Sequence, residues 1–192
     1  NGVVKYEDNI YWQFFSNPSK NSKVHIAFSD NTVAGIYAIS NVKFKCFDDV
    51  VLAAQSLDTI TDSAHRGKGL FVRLANSVYE EAKSSNVAFV YGFPNGNSHH
   101  GFVKKLSWKD LDPIPFLFKP LKTRYFLRKF NLGFIPNINL SRKKSNVLYE
   151  IRQVLTLDKE LETVCDLFVQ SYKVGILRNL EYLQWRYDKK PN

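Results

Sequence analysis

The sequence predicts an α/β chain organised around a strand, a helix and a second strand. Three observations predict it: an extended apolar run over Val50–Thr61, an amphipathic helical pattern that starts at Leu70, and a short apolar run over Val87–Phe93. Two strands that each run into a helix leave a cleft at their carboxyl ends, where open α/β sheets bind ligands.

Each element follows from local chemistry. Tyr11–Phe15 carries four large aromatics and stops at Asn17-Pro18, because the residue before proline avoids helical geometry. Val24–Phe28, Thr32–Ile39 and Val42–Phe47 read as strands, with breaks at Ser29-Asp30-Asn31 and Ser40-Asn41 and a turn at Asp48-Asp49. Val50–Thr61 is the longest strand candidate, although its alternation is imperfect. The helix from Leu70 to about Ser84 sets Leu70, Phe71, Leu74, Ala75, Val78 and Ala82 opposite Asn76, Glu80, Glu81 and Lys83. Val87–Phe93 is almost wholly apolar, which predicts burial on both faces in mid-sheet. Pro94-Asn95-Gly96-Asn97-Ser98 then breaks the chain, and Ser98 is expected to cap a short helix reaching Leu106. Val147–Leu157 reads as a strand. Asp158–Tyr172 reads as a helix with Leu161, Val164, Cys165, Phe168 and Tyr172 on one face.

A chain of 192 residues that is 44% hydrophobic can bury a proper core. No apolar run is long enough for a membrane span, and the N-terminal residues lack a signal-peptide layout. Cys46 and Cys165 lie far apart and form no Cys-x-x-Cys pair, so a reducing cytoplasm is expected and neither a disulfide framework nor a zinc site is. The adjacent His99 and His100 have no cysteine or carboxylate at ligand spacing, so no metal is expected. Methionine is absent, which reads as a piece of something longer.

Charge is concentrated. Residues 104–144 hold eleven Lys and Arg against Asp110 and Asp112, which equals the whole net charge of +9. Aromatics (Phe116, Phe118, Tyr125, Phe126, Phe130, Phe134) are interleaved with these cations, a pattern that suits single-stranded nucleic acid or an anionic membrane surface. Pro113, Pro115, Pro120 and Pro136 punctuate it as a solvated connector, the preferred reading, since basic runs are more often solvated faces. Nucleic acid is therefore not the expected partner, and a membrane surface is the remaining option for this stretch. The expected organisation is a core over 1–112, a connector over 113–146 and a strand-helix segment over 147–192.

The junction Ile60-Thr-Asp-Ser-Ala-His-Arg-Gly-Lys-Gly-Leu-Phe-Val72 joins the long strand to the helix. There Gly67 and Gly69 permit close backbone approach, and the first helical amides have no partner inside the helix. Phosphate is the expected guest.

The ordered set of Arg66-Gly-Lys-Gly-Leu70 after a strand, a helix, a second strand, an Asn-rich loop and Lys105-Leu-Ser-Trp108 resembles the acetyl-CoA-binding core of the GNAT N-acetyltransferases. It covers about Tyr11–Leu111. The runs Ala-Ala-Gln-Ser-Leu-Asp58, Tyr91-Gly-Phe-Pro-Asn95 and Asn97-Ser98 further resemble a bacterial branch associated with surface-polysaccharide genes. The resemblance implies a mixed, mostly antiparallel sheet with a central parallel pair splayed at the CoA site and helices on both faces. It implies acetyl-CoA as co-substrate and a small-molecule amine, such as an amino sugar or another cell-envelope precursor, as acceptor.

Placed residue by residue, Arg66 takes the opening position of the glycine motif and Gly69 its first required glycine. The amides of Gly67, Lys68, Gly69, Leu70, Phe71 and Val72 would hold the pyrophosphate, and the backbone of Thr59, Ile60 and Thr61 would pair with the pantetheine arm. Asn97 and Ser98 belong to the same cofactor set, and His65 fills an aromatic slot. Two positions depart from the pattern. Phe71 replaces a small residue, which is expected to set the helix start farther from the pyrophosphate. Val103 stands where many members have a tyrosine that protonates the leaving thiolate. An acceptor amine must lose a proton, and Asp58, at the strand end beside the cleft, is the first candidate base; His99 and His100, expected at the start of the following helix, come next.

Trp185-Arg-Tyr-Asp-Lys-Lys-Pro191 repeats the spacing of Trp12-Gln-Phe-Phe-Ser-Asn-Pro18: tryptophan, an aromatic two residues on, proline six residues on. Residues 147–192 would then open a second GNAT-like unit of a tandem protein, or complete the first domain in the same chain or in a homodimer. Alternatives from other classes are a non-catalytic module that binds a polyanion or protein partner, and a tRNA-dependent aminoacyl transferase of the tandem kind.

Overall fold

A computed structural model describes residues 5–115, 117, 151 and 153–191. Two units separate: residues 1–109 with 154–192, and residues 110–153. The described residues of the second unit, 110–115, 117, 151 and 153, belong to no helix or strand. The remainder of the basic stretch, and with it the membrane-surface expectation, lies outside the described residues. No helix among the described residues is long and apolar enough to cross a membrane.

The first unit opens with helix α1 (Glu7–Phe14), followed by strands β1 (Lys23–Ser29), β2 (Thr32–Cys46) and β3 (Asp49–Thr61). Helix α2 (Leu70–Ser84), strand β4 (Phe89–Gly92) and helix α3 (Gly96–His100) come next, with a π-helical turn over Gly101–Lys105. After the second unit come α4 (Glu162–Gln170), β5 (Val174–Ile176) and α5 (Leu180–Leu183), which continues as a π-helical turn through Asp188. Strand order is β1-β2-β3-β4. β1–β2, β2–β3 and β2–β5 are antiparallel, and β3–β4 is the one parallel pair. This is the mixed, mostly antiparallel sheet that the resemblance implies.

One face of the sheet is sealed by α2. Leu74, Ala75, Val78 and Ala82 pack on Tyr37, Ile39 and Ala54, and Phe102 closes the cluster from the turn after α3. The helix has the predicted bounds, because its apolar stripe and its entry glycine agree. The opposite face carries α1, whose Trp12 and Phe14 are buried.

Four expectations change. Ser40-Asn41 does not break β2: Asn41 is fully buried and its Nδ2 donates to the carbonyls of Lys20 (3.0 Å) and Asn21 (3.1 Å), while Ser40 Oγ accepts from Asn17 Nδ2 at 2.8 Å. Polar residues persist in a central strand when the folded chain supplies their partners. β4 is shorter than expected and stands at the sheet's edge among the described residues, with Phe89 exposed and the rest half-buried. Its apolar side chains instead reach across β3 to β2, as Phe44 against Phe89 at 5.0 Å shows. The helix after β4 is capped by Asn95, not Ser98: its side chain accepts from the amides of Asn97 and Ser98, both at 3.1 Å. Finally, the described residues of 147–157 contain no strand.

The sheet takes its late strand from Val174–Ile176. It pairs Phe44↔Ile176, Lys45↔Gly175 and Cys46↔Val174. β3 already occupies the other side of those β2 residues, so β5 uses the edge that β1 leaves at Ile39. Tyr172 Oη donates to Ile176 O at 2.6 Å, and Lys45 lies 5.5 Å from the centre of the Tyr172 ring. The terminal segment is thus packed into the first unit.

Candidate functional site

The site begins where the parallel pair ends. β3 and β4 pair from Ala53↔Phe89 to Ser56↔Gly92, and β3 then runs on to Thr61, held on its other side by β2 through Gly35↔Thr61 and Ile36↔Ile60. Among the described residues no strand pairs with 57–61 on the β4 side, so that backbone presents the donors and acceptors of an open edge. The register slips between Ile36 and Ala38, and Asp58 takes a left-handed backbone at φ 53°. This is a β-bulge, which bends the strand and re-aims its side chains. Thr59 Oγ1 is buried there without a hydrogen-bond partner among the described residues.

The glycine loop follows. Asp62 Oδ1 accepts from Ala64 N at 2.9 Å and faces His65 Nδ1 at 3.3 Å, which fixes the turn Ser63–His65. These bonds, the Ala64 amide first and His65 next, hold the Asp62 carboxyl below its ordinary range. Arg66 Nε donates to Thr61 O at 3.3 Å, so this side chain braces the loop against the end of β3. Gly67 and Gly69 both sit at φ 75°, where a side chain is strained, and open space surrounds each Cα. Gly69 caps α2 without a side-chain bond, and the first turn holds no acidic residue. The helix therefore presents unpaired amides and its positive end to the opening, with Lys68 exposed beside them.

Phe71 does not crowd this opening. Its ring turns into the core, 5.2 Å from Phe102 and 5.9 Å from Tyr37 between centroids. Gly101 makes the room, since a Cβ there would lie 3.1 Å from Phe71 Cε1.

The remaining candidates separate. The Asp58 carboxylate is ion-paired with Lys5 and accepts from Gln13 Nε2 at 3.0 Å, which ties the bulge to α1 and its approach. His99 and His100 stand at the last two positions of α3, exposed, rather than at its start. The amides of Asn97 and Ser98 are taken by Asn95, so any cofactor contact from them falls to their side chains. Val103 lies in the π-helical turn and offers no proton at that position.

One feature was not read from the sequence. Ser56 Oγ donates to Tyr37 Oη at 3.0 Å, Tyr37 Oη meets Tyr79 Oη at 2.5 Å, and Trp108 Nε1 donates to Tyr79 Oη at 3.0 Å. This chain of polar groups runs under the last residue that pairs with β4. Burial pushes the Tyr37 and Tyr79 phenols up, so both stay protonated near neutral pH. Tyr79 on the rim of the α2 stripe and the aromatic Tyr37 in mid-strand were the available signals, and both read equally well as plain core.

A family model described as an acetyltransferase (GNAT) domain matches residues 3–110. The chain belongs to the GNAT acetyltransferase family. It is an acetyltransferase with acetyl-CoA as acyl donor. Among solved structures, this GNAT chain is similar to glucosamine-6-phosphate N-acetyltransferase from Arabidopsis thaliana, at 17% identity over 62% of this chain and 81% of that one, with a TM-score of 0.49. A predicted acetyltransferase with acetyl-CoA from Clostridium acetobutylicum matches at 19% identity over 50% and 64% of the two chains, with a TM-score of 0.46. A transcriptional regulator from Bacillus halodurans C-125 matches at 18% identity over 53% and 69%, with a TM-score of 0.45. No curated protein matches the sequence. The GNAT geometry suits the cofactor: an open strand edge, an orphaned Thr59 hydroxyl and a helix start with free amides stand in sequence along one path.

Proposed function

We propose that the protein transfers the acetyl group of acetyl-CoA to the primary amine of a small molecule, such as an amino sugar or another cell-envelope precursor. The observation that carries the reading is the end of β4 pairing at Ser56↔Gly92 while β3 continues to Thr61 and into the glycine loop. In this reading Thr59, Ile60 and Thr61 bind the pantetheine arm as a strand would. The amides of Gly67 to Val72 hold the pyrophosphate, with Arg66 and Lys68 adding charge; each charge-assisted bond contributes about 1.5–3 kcal/mol. Asn97 and Ser98 complete the cofactor set through their side chains.

Bound acetyl-CoA supplies an electrophilic thioester carbonyl. The amine nitrogen bonds to that carbon, the carbon–sulfur bond breaks, and the amine's proton leaves. A free alkylamine holds its proton up to a pH of about 10, so a base is required. Asp58 takes this role ahead of His99 and His100, because the bulge aims its carboxylate toward α1, on the face opposite α2. That face is also where Gln55 and Tyr91 stand side by side in register, one pair before the splay, and it receives the acceptor. With Val103 at the usual acid position, the departing thiolate takes its proton from solvent. A thiol of pKa about 8.5 needs little help to leave.

The resemblance of the runs ending at Asp58 and Asn95 to a bacterial branch associated with surface-polysaccharide genes supports a sugar-like amine as acceptor. The pairing of β5 with β2 and the reciprocal packing of Trp12 and Trp185 support reading the terminal segment as completing the first domain rather than opening a second unit. Calorimetric titration with acetyl-CoA tests the whole: saturable binding is expected, and no heat at millimolar cofactor overturns the reading.

A further inference from the structure

The face opposite α2 holds a cavity of about 310 Å³ that the sequence did not announce. One wall comes from the sheet beside the splay, through Gln55, Tyr91 and Phe93; the other comes from the terminal segment, through Arg178, Tyr182 and Arg186. Among the described residues no acidic side chain lines it. Two exposed arginines therefore border one small cavity with no countercharge among its described lining residues.

Three lysines of this unit are ion-paired. Lys5 pairs with Asp58, Lys23 with Glu81 at 2.9 Å and Lys43 with Glu181 at 3.8 Å. Arg178 and Arg186 form no ion pair among the described residues; each lies against an aromatic ring, Arg178 5.8 Å from Phe168 and Arg186 5.8 Å from Trp12. Stacking of this kind orients a guanidinium and leaves its N–H edge for an oxyanion. Both arginines are well anchored. Leu177 N donates to Lys43 O at 2.9 Å just before Arg178, and Arg186 follows the buried Trp185.

The tyrosines agree with this arrangement. Burial raises the Tyr182 phenol, and the charges of Arg186 and Arg178 pull against it, so both guanidinium groups act on that hydroxyl. Burial, with Tyr182 as a further cause, pushes Tyr91 up to about 12. Both phenols remain O–H donors near neutral pH, which also suits an oxyanion.

We infer that the acceptor is a small amine bearing an oxyanion, a phosphate or a carboxylate, and that Arg178 and Arg186 receive it. The inference rests on the reading that this face admits the acceptor. A cavity near the small end of ligand sites fits a single sugar or amino-acid-sized molecule rather than a polymer.

The test uses the full chain, ¹⁵N-labelled and saturated with CoA so that the glycine loop is occupied. Inorganic phosphate and acetate are titrated in separate arms at constant ionic strength, and the Trp185 indole N–H resonance is followed. Saturable shifts are expected from at least one anion, and the arm that binds tighter identifies the oxyanion. Arg178→Gln or Arg186→Gln should weaken that binding about tenfold or more. Arg178→Lys, which keeps the charge, should retain part of what Arg178→Gln loses, and an unchanged indole spectrum without anion verifies the fold of each variant. No saturable shift with either anion, or equal binding by the glutamine variants, overturns the inference. Calorimetry with acetyl-CoA on the same samples separates the two readings: cofactor binding without anion binding defeats this inference alone, and absent cofactor binding defeats the acetyl-transfer reading.

Discussion

Trp12 and Trp185 hold each other reciprocally: Trp12 Nε1 donates to Trp185 O at 2.7 Å, and Trp185 Nε1 donates to Trp12 O at 3.0 Å. Their rings stack at 4.9 Å with 17° between planes, and both residues are buried. Each is the tryptophan of one copy of the Trp-x-aromatic motif, so the two copies meet in a local two-fold arrangement.

This pair should be a main tie between the terminal segment and the sheet. Trp185→Ala is expected to cost about 3–5 kcal/mol, the usual range for emptying a large aromatic site. Trp185→Phe keeps most of the packing but leaves the Trp12 carbonyl buried and unpaired, at about 1–3 kcal/mol. Urea unfolding of both variants measures the difference, and equal losses would show that the indole bond contributes nothing.

At the glycine loop the expected effect is separable from folding. Gly69→Ala meets no clash, but its left-handed backbone should cost about 1–2 kcal/mol of stability or force the loop to relax. Since the loop presents the first amides of α2, calorimetry should also find weaker acetyl-CoA binding. Unaltered affinity would move the pyrophosphate away from this loop.

Asp58→Asn keeps the shape of the side chain and removes its capacity as a base. The expected result is a fall in kcat of about 10²–10⁴, with acetyl-CoA affinity unchanged. Thiol release in a turnover assay checks it. A full rate in Asp58→Asn beside a large loss in His99→Gln or His100→Gln would transfer the role to an imidazole.

Stability at alkaline pH follows from the buried phenols. Tyr37, Tyr79 and Tyr91 have raised values when folded, so above a pH of about 10 the unfolded chain loses protons that the folded chain keeps. Stability should be level below that pH and fall as pH rises from there toward 12. Tyr79→Phe should shallow the fall. Denaturation curves at pH 8 to 11.5 measure it, and an equal slope in both proteins would count against burial of this hydroxyl.

What the sequence made legible tracks how local each feature is. The bounds of α2 were readable because one stripe and one glycine decide them within a few residues. The parallel pair and its splay were readable as an ordered set of elements. Asn41 was misread because its partners, the Lys20 and Asn21 carbonyls, come from another part of the chain. The left-handed Asp58 was invisible for a related reason: a strained non-glycine backbone is imposed by the strands around it. β5 could not be placed because Val174–Ile176 is too short to carry a periodic signal.

The reciprocal tryptophan contact spans 173 residues of chain. Everything that forms the glycine loop and the open edge of β3 is synthesised before residue 110, whereas the wall that carries Arg178 and Arg186 is synthesised later. Chains fold from the N-terminus as they emerge, and contacts of high sequence separation close late. The nascent protein should thus own a donor-binding groove well before it owns a chamber to choose the recipient. Late closure also leaves β2 with an uncovered edge at Phe44–Cys46 until β5 arrives, a brief exposure during which another nascent copy could add itself to the sheet.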